Sequence, residues 1–293
     1  MGGEAITVAV LSGKGGTGKT LVSVNLAAAA SESVYVDCDV EEPNGHLFFK
    51  PVVRREESVT VKVPEIVADR CTGCRKCVDF CAFHALAFAG GKPILFDEVC
   101  HSCGGCALIC PAGAIREKDK AVGDVCSGIS GNVAVHTGSL NIGEASGIPV
   151  IKKLMEKITG NEYGPVFIDC PPGSSCAVME SKRDADYCVL VAEPTVFGAH
   201  NLAMVYELVE LFGKPSGVVL NKCIEGENPS EMFCLENHVP ILGKIPFDSE
   251  LGTLNSEGKI AVRESERFRA LFAPIQECIG KEAGHEAASD SQR

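Results

Sequence analysis

Short apolar runs, rich in β-branched residues, recur along the chain and are separated by longer segments of mixed polarity. Residues 6–11 and 34–38 form two such runs, and each suits a strand that is buried on both faces. Residues 20–30, between them, are rich in alanine and predict a helix. Later patterns predict strands at 166–169, 188–192, 217–220 and 241–245, and helices at 199–212 and 264–279. This alternation predicts an α/β fold with a doubly wound, mostly parallel sheet.

The middle of the chain breaks this alternation. Prolines and a glycine interrupt residues 41–63, so their pattern predicts no clear element. Residues 64–116 are rich in cysteine and glycine and have only brief apolar stretches, which predicts a small inserted unit. Residues 122–147 are rich in small side chains and have no clear period. We expect them to return to the first domain in a mostly extended form.

A glycine-rich loop follows the first predicted strand. Its residues match the phosphate-binding pattern Gly-x4-Gly-Lys-Thr: Gly13, Lys14, Gly15, Gly16, Thr17, Gly18, Lys19 and Thr20. The loop lies between a predicted strand and a predicted helix, where backbone N–H groups and the helix dipole favour a bound phosphate. We expect ATP here, with Lys19 reaching its β and γ phosphates and the Thr20 hydroxyl binding Mg²⁺.

Half of the sixteen cysteines lie in two copies of the pattern Cys-x2-Cys-x2-Cys-x3-Cys. This is the ligand pattern of bacterial ferredoxins with two [4Fe–4S] clusters, in which each fourth cysteine binds the cluster of the other run. The rule predicts one set of Cys71, Cys74, Cys77 and Cys110, and a second set of Cys100, Cys103, Cys106 and Cys81. Structural zinc is the competing interpretation, since Cys-x2-Cys pairs also build zinc sites. Zinc has no use for a repeated third and fourth cysteine at this spacing.

The composition of the chain limits its possible binding partners and its cellular compartment. The formal net charge is −12 and no dense Lys/Arg run is present, so we expect no nucleic-acid partner. No stretch approaches the ~20 continuous apolar residues of a membrane helix, so we expect no membrane partner. The chain shows no signal-peptide pattern and its cysteines have metal-ligand spacing, which favours a cytoplasmic location. The polar residues 283–293 predict a disordered tail.

The cysteines outside the two runs are predicted to be buried small apolar residues, with the two that flank residues 171–175 as the most probable exceptions. These cysteines are Cys38, Cys126, Cys170, Cys176, Cys188, Cys223, Cys234 and Cys278. His101 lies between two cluster ligands, and we expect it to be a solvated loop residue rather than a group that tunes a cluster.

The loop Lys14-Gly15-Gly16-Thr17-Gly18-Lys19-Thr20 resembles the deviant Walker A loop of the MinD/Mrp-like ATPases. The resemblance implies a homodimer that sandwiches the nucleotides, in which Lys14 contacts phosphate in the partner's site. It also implies that Asp39 positions the attacking water and that Asp169 holds Mg²⁺. Asn221 would read the adenine, and Pro246 would pack near the base.

Together, the loop and the cysteine runs resemble MinD-superfamily P-loop NTPases of the SIMIBI type that contain an inserted ferredoxin domain. The resemblance implies an ATPase domain of residues 1–63 and 117–282 and a small α+β insert of residues 64–116. Its leading functional implication is an ATPase whose dimer switch is coupled to electron transfer through two [4Fe–4S] clusters to a redox partner. The alternatives are an ATP-dependent carrier or scaffold that passes clusters to an apo-acceptor, and an electron carrier with a vestigial nucleotide site.

Overall fold

The structure is a computed structural model that describes residues 6–161 and 163–290. Nine strands form one sheet in the order β11-β10-β9-β1-β8-β2-β7-β6-β3. These strands are β1 (Thr7–Leu11), β2 (Ser33–Asp37), β3 (Val52–Ile66), β6 (Ile115–Ser130), β7 (Val133–Leu140), β8 (Val166–Asp169), β9 (Tyr187–Ala192), β10 (Ser216–Cys223) and β11 (Ile241–Pro246). All neighbouring pairs from β11 to β7 are parallel. The mostly parallel α/β sheet predicted from the sequence is therefore confirmed.

Helices cover both faces of this sheet, as buried parallel strands require. One face packs against α1 (Lys19–Ala29), α9 (Ser249–Ser256), α10 (Ala261–Glu264) and α11 (Glu266–Asp290). The other packs against α5 (Ile148–Ile158), α6 (Cys176–Lys182), α7 (Val196–Leu211) and α8 (Pro229–Glu236). A short helix α2 (Gly45–Phe49) follows β2. The two apolar cores fix the strand ends from which the site loops emerge.

The antiparallel part of the sheet includes β3, from the segment without a clear prediction, and most of residues 122–147, which are mostly extended as expected. β3 pairs with β6 from Val52–Ile129 to Ile66–Ile115, and β6 pairs with β7. Val59, Val61 and Val63 form a short alternating apolar face in β3, but charged residues occupy much of the rest of β3 and of the outer half of β6, and much of both strands is exposed. Pairing between distant segments of the chain therefore determines most of these strands.

The outer part of β3 and β6 leaves the sheet as a two-stranded ribbon, residues 60–66 and 115–121. β7 ends at Leu140, which lies opposite Gly123, so the ribbon continues beyond its last partner. Because β7 runs parallel to β2, this ribbon leaves at the carboxyl edge of the parallel strands. At ~3.3 Å per residue, its seven residues span about 23 Å.

The cysteine-rich insert, residues 67–114, closes the far end of this ribbon. It contains α3 (Lys76–Phe80), the hairpin β4 (Leu86–Ala89) and β5 (Lys92–Leu95), a 3-10 turn (Asp97–Val99), and α4 (Gly105–Leu108). A small core of its own includes Cys77 and Leu86 and meets the ribbon at Ile115. The insert is therefore a separately packed unit held at a distance from the main cores.

The end of the chain differs from its prediction. α11 continues to Asp290, so residues 283–290 have helical backbone where the sequence predicts a disordered tail. Three alanines and a glutamate in this segment favour helix once α11 has been nucleated by packing upstream. The rest of the predicted tail, 291–293, lies outside the described residues.

Candidate nucleotide cleft and cysteine cavities

The glycine-rich loop joins β1 to α1 at the carboxyl edge of the sheet, as predicted. Gly16 and Gly18 have φ values of 81° and 94°, in the region that favours glycine. Gly13 approaches α7 so closely that a Cβ there would lie 2.2 Å from the Asn201 carbonyl oxygen. The Thr17 hydroxyl is buried and has no hydrogen-bond partner in the described part of the chain. The glycines thus allow the tight backbone turn of this loop, and its polar groups can bind the oxygen atoms of a ligand.

A buried charged cluster lies beneath the loop. Lys19 Nζ forms an ion pair with Asp169 Oδ1, and both side chains are almost fully buried. The Tyr35 hydroxyl donates to Asp169 Oδ2 at 2.9 Å. Asp37 accepts hydrogen bonds from the backbone N–H of Asp39 at 3.2 Å and of Gly45 at 2.8 Å. Asp37 and Asp169 are the last residues of the adjacent strands β2 and β8, and they are register partners.

Burial sets the protonation of this cluster. It raises the pKa of Asp37 to about 8, helped by the Asp169 carboxylate and opposed by the Gly45 N–H and Lys19. Burial also raises the pKa of Asp39 to about 6, although Lys19 opposes the shift. For Lys19, burial lowers the pKa, but the carboxylates of Asp169, Asp39 and Asp37 outweigh it and the net pKa is raised. Lys19 is therefore held as an ammonium among acids.

The loop opens into a cleft of about 820 Å³, within the usual range of ligand pockets. The predicted site residues that line it are Lys14, Gly15, Gly16, Gly18, Lys19, Thr20, Asp39, Asn221 and Pro246. Asp169 lies behind Lys19 with both oxygens engaged, rather than in the cleft lining. The cleft wall continues through α9, residues 249–256, which the sequence did not indicate.

The two residues predicted to contact the base lie at one end of the cleft. Asn221 is buried, with 3% of its surface exposed, and its side-chain amide donates a hydrogen bond to the Thr17 carbonyl at 2.7 Å. Pro246 closes β11 beside it. In this arrangement Asn221 also supports the phosphate-binding loop, because its amide nitrogen lies where a side chain at Gly18 would project.

Lys14 is held within its own chain. Its ammonium pairs with Glu193 Oε1 and lies 4.9 Å from the centre of the Phe197 ring. Lys222 lies 3.7 Å from the second oxygen of Glu193 and donates to the Gly16 carbonyl at 2.6 Å. Burial raises the pKa of Glu193, but the two ammonium groups lower it by a larger amount. The pKa of Glu193 therefore lies below its usual value. Tyr35, Glu193 and Lys222 are site residues that the sequence motifs did not identify.

The insert holds two cavities, and each is lined by four cysteines. One, of about 20 Å³, has Cys71, Cys74, Cys77 and Cys110 in its lining. The other, of about 190 Å³, has Cys81, Cys100, Cys103 and Cys106. These are the two sets that crosswise ligation predicts. The first cavity has the room of about one water molecule, so a cluster there requires the thiols to move apart.

The two cysteine runs also repeat in backbone geometry. The sulfur of the fourth cysteine in each run accepts a hydrogen bond from the backbone N–H of the residue four positions later. Ala85 donates to Cys81 Sγ and Ala114 donates to Cys110 Sγ, both at 3.3 Å. Arg75 and Gly104, in corresponding places, have φ values of 63° and 70°. Both sulfur atoms are thus oriented by the same turn, and N–H donors to sulfur are a feature that tunes thiolate-bound clusters.

The other cysteines mostly follow the prediction of burial. Cys38, Cys170, Cys188 and Cys234 are buried, while Cys126, Cys223 and Cys278 are half-buried. Cys170 is thus no exception, but Cys176 is exposed. His101 is exposed, as expected, and it stacks on Phe83 with ring centres 3.8 Å apart.

The fold, the loop and the cleft together define a P-loop nucleotide-binding protein. A sequence model of the "CobQ/CobB/MinD/ParA nucleotide binding domain" matches residues 8–262. The chain belongs to this family of nucleotide-binding proteins.

Solved structures support the fold. The cell division ATPase MinD of Pyrococcus furiosus has 20% sequence identity and a TM-score of 0.59, and the match covers 96% of this chain and 99% of that chain. The septum site-determining protein MinD of Pyrococcus horikoshii, solved with Mg-ADP, has 20% identity and a TM-score of 0.59, over 95% and 97% of the two chains. At this identity the likeness establishes the fold alone.

Curated relatives come from Methanocaldococcus jannaschii. An uncharacterized protein is 29% identical over 290 residues, which covers 94% of this chain and 99% of the relative. An uncharacterized ferredoxin is 41% identical over 56 residues, which covers 19% of this chain and 33% of the relative. A short segment of this chain is therefore similar to part of a ferredoxin. Among the described residues, no helix is long and apolar enough to cross a membrane.

Proposed function

We propose that this protein is a homodimeric, Mg²⁺-dependent ATPase that couples nucleotide binding and hydrolysis to electron transfer through two [4Fe–4S] clusters. One observation carries the proposal. Two cavities of the insert are each lined by four cysteines, three from one run and the fourth from the other run. That insert is mounted on a ribbon that leaves the sheet at the edge where the nucleotide cleft opens. Clusters bound there would carry one electron each between the insert and a redox partner.

The room between the thiols of the larger cavity, about 190 Å³, favours a cluster over zinc there. Four thiolates around one zinc ion lie about 3.8 Å apart, because each Zn–S bond is ~2.3 Å and the geometry is tetrahedral. In the part of the chain that the structure describes, no three His, Cys, Asp or Glu side chains close in around a point for a single metal ion. A cubane, in contrast, takes one thiolate at each of four iron atoms and suits thiols that surround a wider space.

In the nucleotide cleft, the loop's N–H groups and Lys19 would hold the phosphates. Lys19 would turn from Asp169 to the β and γ phosphates, and Asp169 and Thr20 would then be free to hold Mg²⁺ directly or through water. Asp39, in the cleft wall, would orient the attacking water. Lys14 would leave Glu193 to reach the partner's phosphates, so opening that ion pair is a step of dimer formation.

Metal content tests the cluster half of the proposal. Protein purified without oxygen should contain about eight iron atoms and eight acid-labile sulfides per chain, as two [4Fe–4S] clusters require. A matched variant, Cys278→Ser, alters a cysteine outside both cavities and should leave these values unchanged. One or two zinc ions per chain, with little sulfide, would contradict the proposal.

Mixing inactive variants tests the dimer half. Lys14→Ala and Asp39→Ala should each abolish ATP hydrolysis, because every site in the pure dimers lacks one of the two groups. In a mixed dimer, one site has Asp39 from one subunit and Lys14 from the other, so a random 1:1 mixture should recover roughly a quarter of the wild-type rate. A mixture no more active than its components would show that Lys14 does not act across the dimer.

A further inference from the structure

A continuous series of contacts joins the nucleotide cleft to the second cysteine set, and Lys120 lies at its centre. We propose that Lys120 is a positioning residue. It would pass the structural change caused by nucleotide binding to residues 97–100, which end at Cys100, a member of this set. The inference rests on the proposed function, since it names the contacts through which the two proposed activities communicate.

The series begins beside Asp39 in the cleft wall. Val40, the next residue, is buried, and its carbonyl accepts a hydrogen bond from the Leu140 N–H at 2.8 Å. Val40 is tightly enclosed, because a Cβ at Gly147 would lie 2.5 Å from its Cγ2 atom. A shift of Asp39 on nucleotide binding would therefore displace the end of β7 rather than be absorbed by loose packing.

The next contacts reach the base of the ribbon. Asn141, one residue after Leu140, donates its backbone N–H to the Val122 carbonyl at 2.9 Å and its side-chain amide to the Ala121 carbonyl at 3.2 Å. The β3–β6 register shifts at this place, since Val59 pairs with Gly123 but Thr60 pairs with Ala121. Such a bulge bends and twists the ribbon locally, which makes it a natural point of movement.

Lys120 then spans the gap between this base and the insert. Its ammonium lies 3.0 Å from Glu144 Oε1, in the loop after β7, and 3.7 Å from Asp97 Oδ2, in the insert. It also donates to the Asp97 carbonyl at 3.2 Å. The side chains of Lys120 and Glu144 are 18% and 13% exposed, so solvent screens the pair only in part.

The last contact reaches a cluster ligand. The Asp97 carbonyl, which accepts from Lys120, also accepts the backbone N–H of Cys100 at 3.3 Å. Cys100 lines the larger cavity. Because an ammonium has three donors and no acceptor, Lys120 can hold the two acids together, whereas a neutral side chain of the same length cannot.

Hydrogen–deuterium exchange on the cluster-loaded full chain tests this inference. The amides of residues 97–103 should exchange at a different rate with the non-hydrolysable analogue AMPPNP and Mg²⁺ than without nucleotide. Lys120→Met, which keeps an unbranched side chain only one atom shorter but removes the charge, should lose this difference while AMPPNP still binds. Lys118→Met is the matched control, because Lys118 is exposed on the same strand two positions earlier, and it should keep the difference.

Glu144→Gln is an independent variant that leaves the insert's own contacts intact, and it should also lose the nucleotide-dependent difference. If Lys120→Met and Glu144→Gln keep the full difference, Lys120 is not the connection and only this inference fails. If the wild-type protein binds AMPPNP but shows no difference in residues 97–103, the coupling in the proposed function fails as well.

Discussion

Replacing Gly18 by alanine tests the geometry of the phosphate-binding loop. Gly18 has φ 94° and ψ 22°, and a Cβ there would lie 2.0 Å from the Asn221 amide nitrogen. Alanine in this left-handed conformation costs about 1–2 kcal/mol. Moving the Asn221 amide also removes the donor to the buried Thr17 carbonyl, which costs about 1–3 kcal/mol. Together these effects should lower the free energy of unfolding by about 2–5 kcal/mol.

Gly15→Ala is the matched control, because Gly15 lies in the same loop and a Cβ there meets no atom within 4 Å. Both variants should be unfolded in urea without nucleotide and followed by circular dichroism, so that ligand contacts do not enter the comparison. Gly15→Ala should lose less than about 1 kcal/mol, as surface substitutions usually do. Equal losses in the two variants would refute the close contact between Gly18 and Asn221.

Tyr35, His136 and Cys106 each allow a further test. Tyr35→Phe removes the hydroxyl that donates to Asp169 and should lower the free energy of unfolding by about 1–3 kcal/mol in urea titrations, and unchanged stability would contradict the bond. Burial lowers the pKa of His136 to about 4, so the unfolded chain binds a proton first as pH falls below ~6.5. Wild-type stability should then fall by up to roughly 3 kcal/mol between pH 6.5 and 4 relative to His136→Gln, and a constant difference would contradict this. Cys106→Ala should lower the iron content by about half, whereas full iron content would exclude Cys106 as a ligand.

The sequence predicts the central sheet well because its strands are buried on both faces. Their continuous apolar runs need no knowledge of the rest of the chain, and β8 lies where it is predicted, at Val166–Asp169. β3 is different. Charged residues occupy much of Val52–Ile66, and it is a strand because β6 pairs with it along its whole length. No local pattern records that pairing.

The same distinction applies to the site. The loop glycines lie in one contiguous motif, and the cysteines lie in two short runs to which the ferredoxin ligand rule applies, so both patterns predict which residues come together. Tyr35 meets Asp169 across 134 positions of sequence, and Lys14 meets Glu193 across 179. Only the strand order brings these pairs together, because β8 lies beside β2 and β9 lies beside β1. Long-range contacts of this kind have no sequence spacing to recognise.

The proposed coupling is tested most directly by a potentiometric titration of the two clusters, followed by EPR, with MgATP, with MgADP and without nucleotide. The wild-type protein should show a shift in the spectrum or midpoint potential of at least one cluster when MgATP is added. The Lys14→Ala/Lys19→Ala double variant should keep both clusters and show no shift. Identical potentials in all three nucleotide states, in wild-type protein that holds both clusters and hydrolyses ATP, would contradict the coupling.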